Sequence, residues 1–566
     1  MGSPLDYSYD QLNFRPPEKV MRLKRMGSFH QSRLSFMRVL LRRLKENNWT
    51  FDRPIFSIDE KGVGVATYRA IGPERTYTLV AFAHDLPDDK RSDRVIAEAW
   101  DATFTLVDGE PSEQDIDRLS KNVPLQEAGR ISGKELSLSR ANKSVRLFTH
   151  VLDRLSNGRQ PDAEEIEKVG YLMRTTAVYG SGKFGASDRA IWADRPEFAG
   201  SFQPELLSVW LTRSFAIDWI EHLAAAKGGE RAVKMDPVLR RRLGIGNSTG
   251  LGMAPFLINH PSLIHAWINA RETALARVCN IKSAVDSETE TFVDLMKRAR
   301  QNANHWHTAH EHQKAKVACL RKDFEALELA VEGGILDCKY PWKALEQWST
   351  ENLGFEGQEQ VVSLMLEPYG HLVDELAATM CADESSVFRI DGAMLIEEFG
   401  QKLDQLYGWA SAIDFEDKSA SARIWYTSEE KLEPRLGERY EEDLGSYEQP
   451  LAPARDAMRL KASLKDWDVR QTMAAFLLKH PEHRHMVRRI QMLSDCPYGE
   501  IRDNTIDAEL MPIDLLRCKL SFFGATRFDP RSDRWVRITM YQDAPYAEEL
   551  SSLDPDECAY PELETV

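Results

Sequence analysis

Four glycines fall within nine residues in Gly244-Ile245-Gly246-Asn247-Ser248-Thr249-Gly250-Leu251-Gly252. Glycine adopts backbone angles closed to other residues, so the stretch predicts a tightly turned loop. Asn247, Ser248 and Thr249 add side-chain donors, and Pro255 suits the first turn of a helix expected over 255–278. A loop of this kind aims backbone N–H groups and the positive end of a helix at one point, which suits an anion. Arg240, Arg241 and Arg242 stand just upstream. The expected anion-binding residues are therefore Arg242, Gly246, Asn247, Ser248, Thr249 and Gly250. The competing reading is a helix–helix connection that needs small residues for close packing.

Two better-known phosphate-binding patterns are excluded. No Lys-Ser or Lys-Thr closes the loop, and Thr249 stands where a dinucleotide fingerprint needs its third glycine. A second segment, Tyr179-Gly180-Ser181-Gly182-Lys183-Phe184-Gly185, is followed by Ser187, Asp188 and Arg189. Tyr179 and Lys183 have the spacing of the short-chain dehydrogenase pair. That pair sits on a helix, whereas Gly180 and Gly182 break one here, so the chain is not read as such an enzyme. What is left is a loop with Tyr179 or Lys183 to move a proton and Arg189 to bind a carboxylate or phosphate. An ordinary surface loop is the alternative.

Three other segments carry reactive side chains. In Trp425–Arg439, acids and bases alternate beside two aromatics. Glu429 is the candidate general base and Arg435 the candidate bidentate substrate clamp, set against a plain solvated face. His305, His307, His310 and His312 crowd together, but without the spacing of a zinc-binding helix, so a surface helix is expected and no metal site is assigned. Cys496 lies in a polar turn, and a thiol nucleophile needs a base beside it that sequence does not supply.

Composition narrows the class of partner. The formal net charge is −16, which repels phosphate backbones and anionic lipid, so neither nucleic acid nor membrane is an expected partner. One basic stretch, from Arg22 to Lys45, alternates with apolar residues and predicts an amphipathic helix packed on the body. Its other reading is a membrane-surface or partner helix. The seven cysteines are scattered without a Cys-x-x-Cys pair, as for reduced thiols. The polar start MGSPLDYSYDQLNF lacks a signal-peptide core, and no apolar run is long enough to span a bilayer. A cytoplasmic location is expected.

The elements that must position these groups follow from periodicity. Short β-rich runs at Ile55–Ile58, Gly62–Ala70, Tyr77–His84 and Ala102–Val107 predict a small antiparallel meander. Helical periods dominate from about 112, including Leu136–Leu155, Ala163–Thr175 and Pro204–Ala225. The span 287–330 has neither Gly nor Pro and reads as a hairpin or an exposed coiled-coil arm, the basis for expecting a homodimer. The fold class expected is mainly α (α+β): a helical body, a small antiparallel N-terminal β-sheet and a C-terminal α+β unit. The expected divisions are 1–110, 111–286, 287–426, a charged linker 427–456, and 457–566 with an acidic tail.

Together these point to an enzyme acting on a small anionic metabolite, a carboxylate or phosphate, by acid–base chemistry of lyase or hydrolase type. Residues 244–252 hold the anion and 179–189 close over it. No cofactor motif is present, and the identity of any cofactor stays open. The alternative is a non-catalytic scaffold or regulator that uses 287–330 and 427–456 as partner surfaces.

Overall fold

Alternating apolar and polar residues build the first half of one large sheet. In a computed structural model, β1 (Thr50–Ile58), β2 (Gly64–Ile71), β3 (Thr76–Ala83), β4 (Ala102–Asp108) and β5 (Glu135–Lys143) pair in sequence, each antiparallel to the last. The structure describes residues 13–22, 25–86, 99–125, 132–175, 194–247, 261–306, 311–380, 389–415, 425–427, 434–436, 452–501, 519–530 and 536–559.

The sheet does not stop at the expected meander. It continues through β6 (Tyr171–Thr175) and β7 (Gly244–Asn247), and ends with two late strands, β10 (Ala525–Pro530) and β11 (Val536–Met540). The order is β1-β2-β3-β4-β5-β6-β7-β11-β10, nine strands in all. Only β6 and β7 pair in parallel; every other neighbour is antiparallel. The fold is therefore α+β around a large mixed sheet, and the small antiparallel sheet expected from sequence is corrected. Two misread segments explain the error. Glu135–Lys143 carries the period-two alternation Leu136-Ser137-Leu138-Ser139, which merges into the helix α1 (Val145–Ser156) that follows. Gly170, at φ +77°, ends a short helix at Val169 and lets β6 begin at Tyr171.

Residues 457–566 do not form one C-terminal unit either. The strands β10 and β11 belong to the main sheet, while Ile396, Phe399, Leu403, Leu460, Phe476 and Ile490 build a separate small helical core. Between them a two-stranded hairpin, β8 (Trp425–Thr427) with β9 (Pro434–Leu436), joins no other described strand.

Helices cover the large sheet. The 26-residue helix α2 (Gln203–Gly228) is apolar on nearly every side and buries Trp210, Phe215 and Trp219. The helix α3 (Pro261–Cys279) buries Trp267, and the span 287–330 is a hairpin of α4 (Asp286–His305) and α5 (Glu311–Glu332). Phe292, Met296, Leu320 and Phe324 lay this hairpin against the main core, so it is not the exposed arm that sequence also allowed.

The basic N-terminal stretch packs on the body, with its charges inside as well. On the helix Phe36–Glu46, Arg38 donates to Glu367 at 2.7 and 2.6 Å and to Asp556 at 3.0 Å. Arg33 donates to Asp374 and Arg42 to Asp556. A second cluster joins Arg15 to Glu272 and Glu359, with Arg25 and Arg271 beside them. Among the described residues no helix is long and apolar enough to cross a membrane.

Candidate functional site

The two glycine-rich segments picked out by sequence leave the sheet side by side. β6 and β7 pair in parallel with Thr175 opposite Asn247, so the chain exits both strands at the same edge. The connection between them runs through α2, which makes β6, α2 and β7 a crossover unit of the kind that joins parallel strands. In open, mostly parallel α/β sheets, ligands gather outside the carboxyl ends of the strands; here one pair alone is parallel among the described strands. Thr175 is fully buried and Asn247 is 1% exposed, so this edge lies inside the protein. Thr175 also donates to the carbonyl of Arg140 on β5 at 3.2 Å.

The first part of the expected anion loop is not a loop. Gly244–Asn247 is a buried interior strand between β6 and β11, and its backbone groups serve those ladders; the Gly244 amide donates to Gly170 at 2.9 Å. Gly244 and Gly246 are there for closeness. A Cβ on Gly246 would stand 2.7 Å from the Tyr171 ring, and one on Gly244 would stand 2.3 Å from the Met540 carbonyl oxygen. The expectation that amides of this stretch hold an anion is thus corrected for Gly244 to Asn247, Gly246 included, because the sheet already uses them. The helix expected from 255 is seen from Pro261.

Arg242 is likewise misplaced by the sequence reading. It precedes β7, at the far end of the strand from Asn247, and faces Glu167 at 3.9 Å. Its neighbours brace the C-terminal turn instead. Arg241 donates to the Asp543 carbonyl at 3.0 Å, and Arg240 pairs with Glu548 while its guanidinium lies 4.0 Å from the Tyr546 ring centre.

Sequence reasoning missed Glu205. It sits in the first turn of α2 and is 5% exposed. The middle of α2 reaches the start of β7, where Arg213 donates to the carbonyls of Leu243 and Arg241. Its first turn, with Glu205 and Gln203, is fixed beside the end of β11, where the Tyr541 hydroxyl donates to the Leu206 carbonyl at 2.9 Å. Gln203 is held between Arg43 and the Phe36 carbonyl, both at 3.3 Å. The signal available was one acid just ahead of a long apolar helix.

Tyr179, Lys183, Arg189, Ser248, Thr249, Gly250 and Glu429 lie outside the described residues. Arg435 is placed by its backbone, opposite Tyr426 in the separate hairpin. The structure thus brings together the roots of the two glycine-rich segments and does not bring Arg242 to them. Among the described residues, no group of three His, Cys, Asp or Glu side chains could hold a metal ion. No protein-family model matches this chain, and no curated protein or solved structure matches it either.

Proposed function

We propose that the protein is an enzyme that binds a small anionic metabolite, a carboxylate or phosphate, where β6 and β7 end, and acts on it by acid–base chemistry of lyase or hydrolase type. The observation that carries this is the parallel pairing of Thr175 with Asn247. Tyr179 follows Thr175 by four residues and Thr249 follows Asn247 by two. Neighbouring strands lie about 4.8 Å apart, so the two segments start from adjacent points. In this proposal Ser248, Thr249 and Gly250 supply donors to the anion, Arg189 supplies charge, and Tyr179 and Lys183 move the proton. Arg435 takes no part, since its strand β9 joins no described strand of the large sheet.

The scaffold alternative loses the long arm it relied on, because α4 and α5 pack into the main core.

The test is a thermal-shift series with phosphate, nucleotides and common carboxylates on the wild-type protein and Arg189→Ala. A ligand at a hundred times its Kd adds about 2.7 kcal/mol of stability. A rise in Tm for one anion class that Arg189→Ala removes supports the site. If no anion raises the Tm of the folded wild type, the proposal fails.

A further inference from the structure

A second cleft lies away from the sheet, between the head of α3 and the small helical unit. It has a volume of about 570 Å³. That size suits a metabolite. Its walls come mainly from two helices, α6 (Ala452–Leu464) and α7 (Arg484–Leu493). The segment that builds it departs from the rest of the chain in charge. Residues 452–493 hold nine Lys or Arg against four Asp or Glu, in a protein whose net charge is −16.

Arg459 on α6 and Arg488 on α7 line the cleft, together with Arg489 and the His483 and His485 rings. Arg489 is fixed from below by Glu500, at 2.6 Å, and by the Tyr407 hydroxyl, at 2.9 Å. The two acids on the rim are already answered: Asp456 stands 3.5 Å from Arg455 and from Arg459, and Glu482 stands 3.2 Å from His480. His483 meets the Ser463 hydroxyl at 2.9 Å. Met486, Met492, Pro261 and Pro453 make the remaining wall apolar. Methionine adapts its shape to an apolar or aromatic body, and arginine matches phosphate with two parallel donors.

We infer that this cleft is a binding site for a small phosphorylated molecule with an apolar or aromatic body, gripped by Arg459 and Arg488. A concave site with apolar lining beside the two arginines fits such a molecule, whereas a polyanion such as nucleic acid needs an extended basic face.

The experiment titrates the full-length protein with inorganic phosphate and with phenyl phosphate by calorimetry. The proposal expects saturable binding to this cleft with a Kd below about 1 mM, phenyl phosphate the tighter, whether or not the strand-end site also takes phosphate. Arg459→Ala/Arg488→Ala is expected to weaken binding at least about tenfold with an unchanged circular dichroism spectrum. Arg459→Lys/Arg488→Lys keeps charge without the bidentate fork and recovers part of it. Arg189→Ala, at the strand-end site, removes at most the binding that belongs there and leaves the part lost in Arg459→Ala/Arg488→Ala, which separates the two sites. No saturable binding of either probe, or equal binding by the folded double alanine variant, overturns the inference. So does retention of a DNA duplex that phosphate does not displace.

Discussion

Arg38 and Glu367 form a two-pronged ion pair at 2.7 and 2.6 Å, and neither side chain is more than 2% exposed. Breaking one partner of such a pair leaves a buried charge without its counterpart, at about 3–5 kcal/mol. Arg38→Ala and Glu367→Ala are each expected to lower the unfolding free energy by that order. Urea unfolding followed by tryptophan fluorescence checks it, and a change below about 1 kcal/mol for both would refute it.

Acid should attack the same cluster through Asp556. Burial pushes its carboxyl upward, but Arg38, Arg42 and Arg33 outweigh this and hold the pKa well below the usual carboxylate range. A carboxylate with a lowered native pKa adds stability above its unfolded value near 4, and that stability is lost as pH falls through the range below. The urea midpoint of the wild type is expected to drop between about pH 5 and pH 3. Asp556→Asn is expected to be weaker at pH 7 and to change less over that interval.

Asp543 has the opposite sign. Burial raises its carboxyl to about 6, against the pull of Arg213. The folded state then holds the proton more tightly than the unfolded chain, so this group lowers stability as pH rises from about 4 to about 6. Asp543 also sits at φ +60°, which Asn tolerates. Asp543→Asn is expected to stabilise the protein by about 1–2 kcal/mol at pH 7, with the gain vanishing below about pH 4. A constant difference across pH would remove burial of the charge as its cause.

Gly246 tests packing against binding. With a Cβ only 2.7 Å from the Tyr171 ring, Gly246→Ala is expected to cost about 1–3 kcal/mol, and Gly246→Val to prevent folding. Pairing Gly246→Ala with Tyr171→Leu should recover part of the loss. Soluble, fully folded Gly246→Val would show that the strand yields more than its packing implies.

Arg213 clamps the turn after β11. It donates to the carbonyls of Leu243, Ala544 and Arg241, and its guanidinium lies 3.8 Å from the Tyr546 ring centre. Arg213→Met keeps much of the volume but takes a donor from three carbonyls; Arg241 still accepts from the Asp543 amide and Leu243 from the Tyr546 hydroxyl, so the loss centres on Ala544, at about 1–3 kcal/mol. Hydrogen exchange at 536–546 is expected to rise more than exchange across β1–β3; equal protection in both proteins would deny the clamp.

Local pattern carried β1 to β4, because Tyr77–Ala83 and Ala102–Asp108 alternate or run apolar between turn residues. It failed at Gly244–Asn247. Two glycines in a four-residue strand give no β propensity, and only the neighbouring strands make that segment extended. Both glycine-rich segments were legible one at a time. Their adjacency was not, since it comes from pairing residues some seventy positions apart, Thr175 with Asn247. Glu205 carried no periodic signal, and Arg242 misled because nearness in sequence does not survive an intervening strand.

The position of β11 sets a timetable for synthesis. Its residue Ile538 completes the pairing of Asn247 and is translated 291 residues later. At about 5–20 residues per second, a nascent chain carries β7 with one side open for roughly 15 to 60 s. An unpaired strand edge left waiting that long invites aggregation. Biogenesis of this protein therefore calls for a chaperone on the ribosome-bound chain until the last strands emerge.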